Sequence, residues 1–266
     1  MPKQQYEMIN ADSYLVKLDT HLAIAQPKKE KVNTSIEYLK GKMWSLFQEK
    51  LSTISVFGSY DRNTFVDGNE KSDVDILIVF KKNEFQPQTY LNQIETFCKN
   101  HYPRSVIYPD HPTVVIEMDH IKFELVPAHY YSPDAVKIPA PRNKELKWIT
   151  TEPLNFKKKL AEKDKNNKAL IVPLIRILKH WNYLNDKPFS SYELERSIVN
   201  QLYNCTTLRD YYFSAVSGLE ENIKTEAQKK AYIQLKEKNR RIRVLEREKI
   251  VEYIEAEFSS FLPFPR

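Results

Sequence analysis

The sequence predicts an α/β (α+β) protein in which a lobe built on a mixed sheet is followed by a helical lobe. Three observations point there. Short runs rich in β-branched residues recur between positions 53 and 126, as strands do. From about residue 145 onward the apolar residues recur at helical spacing. Glycine is scarce, at 4 of 266 residues, which favours long helices around a small sheet.

The elements follow in order. Asn33 or Thr34 reads as a helix N-cap, with Glu37 placed for a capping box, and apolar spacing carries that helix to Lys50. TISVF (53–57) reads as a strand that ends on a Gly58-Ser59 turn, DVDILIVF (73–80) as a second strand, and 87–100 as a helix. RSVIY (104–108), TVVIEM (113–118) and IKFELV (121–126) read as three more strands, the last two joined by a tight turn at Asp119-His120. After Pro127 the run YYSPDAVKIPAPRN has three prolines and no period, so a loop or crossover is expected. Helices are expected over 155–164, 168–185, 190–204, 219–239 and 242–258. The division expected is 1–145, the sheet lobe with N-terminal helices, and 146–266, the helical lobe, with the active site in the cleft between them.

Composition narrows the classes. Hydrophobic residues make up 41% and charged residues 29%, and no run of about 18 apolar residues is present to span a membrane. The start, MPKQQYEMINADSYLVKLD, lacks a basic-then-apolar leader, so a cytoplasmic protein with no membrane partner is expected. Cys98 and Cys205 are too few for a disulfide framework, and no Cys/His cluster suggests zinc. The net charge of +6 is uneven: residues 1–141 carry 16 basic and 18 acidic side chains, residues 142–266 carry 25 and 17. A basic wall facing a polyphosphate is one reading of the second half. Solvated helix faces are the other, since KEKNRRIRVLEREK alternates both signs.

The stretch SVFGSYDRNTFVDGNEKSDVDILIVF (55–80) carries the chemistry. Asp73 and Asp75 lie two apart on a strand and therefore share a face, where they repel unless a cation sits between them. Mg²⁺ suits them, being a hard ion that takes oxygen ligands. Gly58 lets the backbone turn tightly and approach a phosphate, and Ser59 adds a hydroxyl donor. The N–H groups that open the next turn form an anion site. Glu124 in KFELVPA is the candidate third ligand. It shares a strand face with Lys122 and Val126, opposite Phe123 and Leu125, and an unpaired charge in an apolar strand is expensive. Glu117 and Asp119 compete for this role, with solvated edge or turn positions as the plain alternative. Three carboxylates would hold two ions, one on the triphosphate and one on the attacking hydroxyl.

GSYDRNT followed by SDVDILIVF resembles the signature of the polymerase-β-like nucleotidyltransferase superfamily. The form Gly-Ser-Tyr-x-Arg-x-Thr is more particular and resembles the cGAS/DncV-like nucleotidyltransferases (CD-NTases) of bacterial anti-phage systems and their oligoadenylate-synthase relatives. LIRILKHWNYLNDKPFSSYELE (174–195) is similar to the helix-loop-helix that carries the nucleotide clamp of that family, and WITTEP (148–153) also resembles it. By position, the resemblance implies that Lys179 contacts the triphosphate, Ser191 hydrogen-bonds a phosphate oxygen and Tyr192 stacks on a base. A lysine is a mobile point charge for phosphate, and an aromatic face accepts any base. Trp181, two residues from Lys179 on the helix, points elsewhere and reads as core.

The sequence departs from the family in two places. The third carboxylate is usually Asp and here is Glu124, which keeps the charge but reaches further. The Cys/His zinc module of the animal DNA sensors is missing, so DNA is not an expected partner. Arg62 and Thr64 match the motif, with substrate binding and turn stabilisation both open as roles. His129 reads as a loop histidine or as a lining of the acceptor pocket. Asn166 and Asn167 suit either a uracil edge or a helix cap.

The resemblance implies a Mg²⁺-dependent nucleotidyltransferase, with Mn²⁺ able to substitute. It would join ATP, with UTP or GTP as candidate second substrate, into a cyclic di- or trinucleotide second messenger and release pyrophosphate. In anti-phage (CBASS) signalling an effector then senses the product rather than the enzyme. A linear 2′-5′ oligonucleotide synthase and an enzyme that nucleotidylates a protein or a small molecule are the alternatives.

Overall fold

The structure, a computed structural model, describes residues 10–68, 72–81, 85–110, 113–140 and 147–265. In chain order the elements are α1 (Ala11–Leu22), α2 (Gln26–Phe47), β1 (Leu51–Phe57), α3 (Gly58–Asp61), β2 (Asp73–Phe80) and α4 (Pro87–His101). Five strands follow: β3 (Val106–Asp110), β4 (Thr113–Met118), β5 (Ile121–Ser132), β6 (Ala135–Pro139) and β7 (Trp148–Thr151). The rest is helical: α5 (Pro153–Asn166), α6 (Ile171–Leu184), α7 (Ser191–Asn200), α8 (Leu208–Gly218), α9 (Glu226–Arg247) and α10 (Ile254–Ser259). Among the described residues no helix is long and apolar enough to cross a membrane.

The seven strands form one mixed sheet whose main path runs β1-β2-β5-β4-β3. β2 runs parallel to β5, and its other neighbour, β1, is antiparallel to it. Side chains alternate along β2 as a two-faced strand requires. Val74, Ile76, Ile78 and Phe80 enter the larger apolar cluster, closed over by Val32, Ile36, Leu39 and Met43 of α2 and by Leu91, Ile94 and Phe97 of α4. Leu77 and Val79 join a smaller cluster with Val126, Ala128 and Val136. Asp73 and Asp75 continue the row of Leu77 and Val79, so the carboxylates lie on that second face.

The structure corrects the loop expected after Pro127. β5 continues through Pro127 to Ser132, and residues of the proline-rich run form β6, which pairs with β5 and β7. Pro127 lies between Leu125, the last β5 residue paired with β4, and His129, the first paired with β6. A missing N–H is tolerated where one neighbouring strand gives way to another. Pro133 occupies the turn between β5 and β6, and Pro139 ends β6. Helix α2 also begins earlier than expected, after Ala25. Pro27 sits in its first turn, where a missing N–H costs nothing, and Glu37 pairs with Lys40 instead of capping. In the C-terminal part α8 was not expected, and α9 runs unbroken to Arg247 from a Thr225–Gln228 capping box.

By its internal contacts the chain divides into two units. The described residues of Ile24–Phe65 and Lys71–Lys159 form one, which contains the sheet, α2, α3 and α4. Those of Met1–Ala23, Val66–Glu70 and Leu160–Arg266 form the other. The expected boundary at 145/146 falls outside the described residues. Helix α1 groups with the helical unit because its apolar stripe, Tyr14, Leu15 and Leu18, is fully buried there. The Tyr14 hydroxyl donates to the Leu262 carbonyl at 2.7 Å, and the Tyr14 ring stacks on Phe258 at 4.8 Å. Asp19 accepts from the Arg176 guanidinium at 2.7 and 2.8 Å.

Candidate active site

Parallel pairing of β2 with β5 sets Asp75 beside Glu124 and Asp73 beside Lys122. Because residues two apart share a face, this register alone turns all four side chains to the same side of the sheet. One oxygen each from Asp73, Asp75 and Glu124 lies within 4.8 Å of the others. All three carboxylates are half-buried. Phe123 and Leu125, the alternate residues of β5, are fully buried in the larger cluster, so the strand cannot turn Glu124 to its other face without exposing them.

The charges respond to this crowding. Burial, then the Asp73 charge and the hydrogen bond to it, push the Glu124 carboxyl up to about 7, although Lys122 works the other way. Lys122 Nζ lies 3.4 Å from Asp73 Oδ2 and 3.3 Å from Glu124 Oε1. Burial works to lower the Lys122 ammonium, but the two carboxylates raise it on balance. One lysine thus offsets part of the charge of three carboxylates, and a proton on Glu124 offsets more. A divalent cation with oxygen ligands fits this donor set: its charge would take over from that proton.

The Gly58-Ser59 turn meets the same cluster. Phe57 pairs with Asp75 across β1 and β2, which brings the next residue over the Asp75 side chain. Gly58 has φ +71°, and a Cβ there would lie 2.7 Å from Asp75 Cγ. Only glycine fits both the backbone and the space. Gly58 and Ser59 open α3, and the first N–H groups of a helical turn have no partner within it. Tyr60 anchors the turn to α2 by donating to Asn33 Oδ1 at 2.8 Å. Thr64 is fully buried and its N–H donates to the Ser59 carbonyl at 2.9 Å, so it holds the turn closed. Arg62 lays its guanidinium over the Phe156 ring at 5.3 Å.

Lys179, Ser191 and Tyr192 lie in the helical unit. Lys179, on α6, donates to Glu195 Oε1 on α7 at 3.1 Å, with Glu195 1% and Lys179 11% exposed. Ser190, not Ser191, caps α7 by accepting from the Glu193 N–H, which leaves Ser191 as the first helical residue. Tyr192 is half-exposed, with 51% of its surface accessible. Trp181 is core, at 2% exposed.

Four further positions are resolved by geometry. Glu117, an exposed side chain near the end of β4, accepts from the Tyr108 hydroxyl at 2.6 Å, and Asp119 sits in the turn before β5. His129 is a buried strand residue, not a loop histidine: its ring meets Trp148 edge-on at 4.6 Å, and burial lowers its pKa. Asn167 donates to the Lys163 carbonyl and accepts from the Tyr211 hydroxyl, so both ends of its amide are engaged within its own unit.

Sequence reasoning gave no role to Lys122 or to Glu195. The signal for Lys122 was present in its two-residue offset from Glu124, but the Asp73 partner depends on register. Glu195 carries no local signal, because its partner is 16 residues away on another helix.

Comparisons with known proteins bear on the family and the fold. Residues 9–166 match the family model described as Second Messenger Oligonucleotide or Dinucleotide Synthetase domain. No curated protein gives a significant sequence match. Among solved structures, the chain is similar to Vibrio cholerae DncV cyclic AMP-GMP synthase in complex with the linear intermediate 5′ pppA(3′,5′)pG. That match has TM-score 0.75 and 9% identity, over 95% of this chain and 97% of that one. It is also similar to the STING-associated CdnE c-di-GMP synthase of Capnocytophaga granulosa, with TM-score 0.62, 16% identity and coverage of 93% and 86%. A third is the CD-NTase CdnG of Bradyrhizobium diazoefficiens in complex with GTP, with TM-score 0.67, 12% identity and coverage of 79% and 76%. At these identities the likeness shows the fold alone, a mixed sheet followed by helices.

Proposed function

The chain belongs to the family of Second Messenger Oligonucleotide or Dinucleotide Synthetases, and on that premise we propose that it is a Mg²⁺-dependent synthase of a cyclic di- or trinucleotide. ATP is its default substrate, with UTP or GTP as the second. The reaction joins a ribose hydroxyl to an α-phosphorus and releases pyrophosphate, first between two nucleotides and then within the linear product. The observation that carries this reading is the convergence of Asp73, Asp75 and Glu124 within 4.8 Å beneath a glycine turn.

Asp73 and Asp75 would hold both metal ions and Glu124 the one nearer the attacking hydroxyl. The bound ions supply charge neutralisation of the triphosphate and a lower pKa for the ribose hydroxyl. The protein itself does the positioning. Gly58 and Ser59 present their N–H groups to the donor phosphates without an intervening Cβ. Glu124, held at that ion, would stand beside the hydroxyl and take its proton. Lys179 and Ser191 would grip the triphosphate, and Tyr192 would stack on the base. No side-chain nucleophile is needed, because phosphoryl transfer is mostly positioning and electrostatic stabilisation. Use of cellular triphosphates fits the cytoplasm, and a cyclic product fits anti-phage (CBASS) signalling through an effector that senses it.

The test is mass spectrometry of products from ATP alone and paired with each other triphosphate, with Mg²⁺ or Mn²⁺. A cyclic product that Asp75→Asn abolishes supports the reading. Linear oligomers only, or label transferred to protein, would replace it with one of the related transferase activities.

A further inference from the structure

Lys122 stands where the proposed metal site needs a cation. Its Nζ lies 3.4 Å from Asp73 Oδ2 and 3.3 Å from Glu124 Oε1, on two of the three carboxylates that would serve as ligands. Those distances exceed the roughly 2.7–2.9 Å of a tight charge-assisted hydrogen bond, so the ammonium is shared between the two and locked to neither. The Lys122 side chain is 20% exposed, and a lysine carries its charge on a flexible four-carbon stem. A divalent cation entering between the same oxygens would meet that ammonium at close range, where like charges repel strongly. Both cannot stay.

A further carboxylate is placed to receive the displaced ammonium. Parallel pairing sets Asp73 of β2 beside Lys122 of β5, and antiparallel pairing sets Glu117 of β4 opposite Lys122 on its other side. Directly opposed residues of an antiparallel pair share a face, with Cβ atoms about 4.5–5.5 Å apart. Lys122 is therefore the middle member of a row that crosses three neighbouring strands, with an acid on each side. It leans toward Asp73 and Glu124. Glu117 is exposed and forms no ion pair among the described residues. Its Oε1 accepts from the Tyr108 hydroxyl at 2.6 Å, which steadies the carboxylate and leaves Oε2 open.

We infer that Lys122 is a displaceable counter-ion with two seats: between Asp73 and Glu124 before a metal binds, and on Glu117 once a divalent cation takes those oxygens. The inference rests on the metal site proposed above and adds its regulation. Lys122 sets how tightly a bare ion binds, because the ion must first displace it. It acts as a positioning residue and touches no reacting atom.

Calorimetric titration of the EDTA-stripped full chain with Mg²⁺ tests it, with binding rather than turnover as the readout. The titration is run at pH 9, above the Glu124 value of about 7. Lys122→Met should bind Mg²⁺ at least about tenfold more tightly than wild type, because the competing charge is gone. Lys122→Arg keeps a charge and should not. Glu117→Gln should bind about threefold more weakly, the worth of one exposed ion pair. The charge-matched control Asp119→Asn, in the turn before β5, should bind as wild type. In Lys122→Met/Glu117→Gln the Glu117 effect should vanish. Equal or weaker binding in Lys122→Met overturns the inference and leaves the metal site standing. So does a Glu117→Gln loss that Asp119→Asn reproduces or that persists without Lys122. No Mg²⁺ binding in wild type or any variant would sink the metal site and the inference together. Glu117 and Asp119 are both exposed, so that pair of variants still decides the matter should Lys122→Met fail to fold.

Discussion

Gly58 lies directly against the carboxylate of Asp75, with its φ at +71° and room for no Cβ before the Asp75 side chain. The turn that would receive phosphate and the ligand that would hold metal therefore share one packing contact. Gly58→Ala should lower turnover by at least about 100-fold, because an ångström of misplacement at a reacting centre has that effect. Its stability cost should be at least about 1–2 kcal/mol, the penalty for an L-residue at positive φ, to which displacing the Asp75 side chain adds. Steady-state rates and thermal melts on the same sample separate the two. Wild-type turnover in a folded variant would refute the contact's importance.

Asp73→Asn should remove activity while stabilising the metal-free protein. The Asp73 charge is the chief electrostatic cause of the raised Glu124 carboxyl, and neutralising it relieves a repulsion that only catalysis justifies. The melting midpoint in EDTA at pH 8 should rise by roughly 2–4 °C, as about 1 kcal/mol brings in a chain of this size. A lower midpoint would show that the Lys122 pairing outweighs the repulsion.

Metal affinity should depend on pH through Glu124. Its folded value, about 7, is above the ordinary carboxylate value of 4.5. A carboxyl raised in this way contributes stability that is present below the ordinary value and lost as pH rises through the folded one. In EDTA, stability should therefore fall between about pH 5 and 8. Mg²⁺ requires the ionised form, so its apparent affinity should rise by about tenfold per pH unit below 7 and level off above it. Calorimetric titrations at pH 5.5, 6.5 and 8 check the trend, and a flat profile would exclude Glu124 as a ligand.

Lys179 has a structural partner that complicates any single substitution. Lys179→Ala would remove the cation 3.1 Å from the buried Glu195 carboxylate at about 3–5 kcal/mol, the usual result of breaking a buried pair. The double variant Lys179→Met/Glu195→Gln removes the charge as well and should recover most of that loss in urea denaturation. If Lys179 grips phosphate, the refolded double variant should still show a raised KM for ATP. An unchanged KM would leave Lys179 a purely structural residue.

Much of the candidate site was legible in local pattern. Alternation along 73–80 gives a strand and forces Asp73 and Asp75 onto one face, whatever the fold. A Gly-Ser pair at a strand end gives the turn. The prolines after Pro127 misled, because a proline reads as a breaker unless one knows which neighbour its backbone faces. His129 was misplaced for the same reason.

The sequence by itself determined the periods: which stretches extend, which coil, and which side chains share a face. These are local properties, set by backbone geometry and by the burial of every second or every third to fourth residue. Tertiary structure alone decided the pairings: Glu124 beside Asp75, Lys122 between two carboxylates, Glu195 beneath Lys179, and α1 with the helical unit. Each joins residues from separate elements, where strand register or helix docking, not chain proximity, fixes the distance.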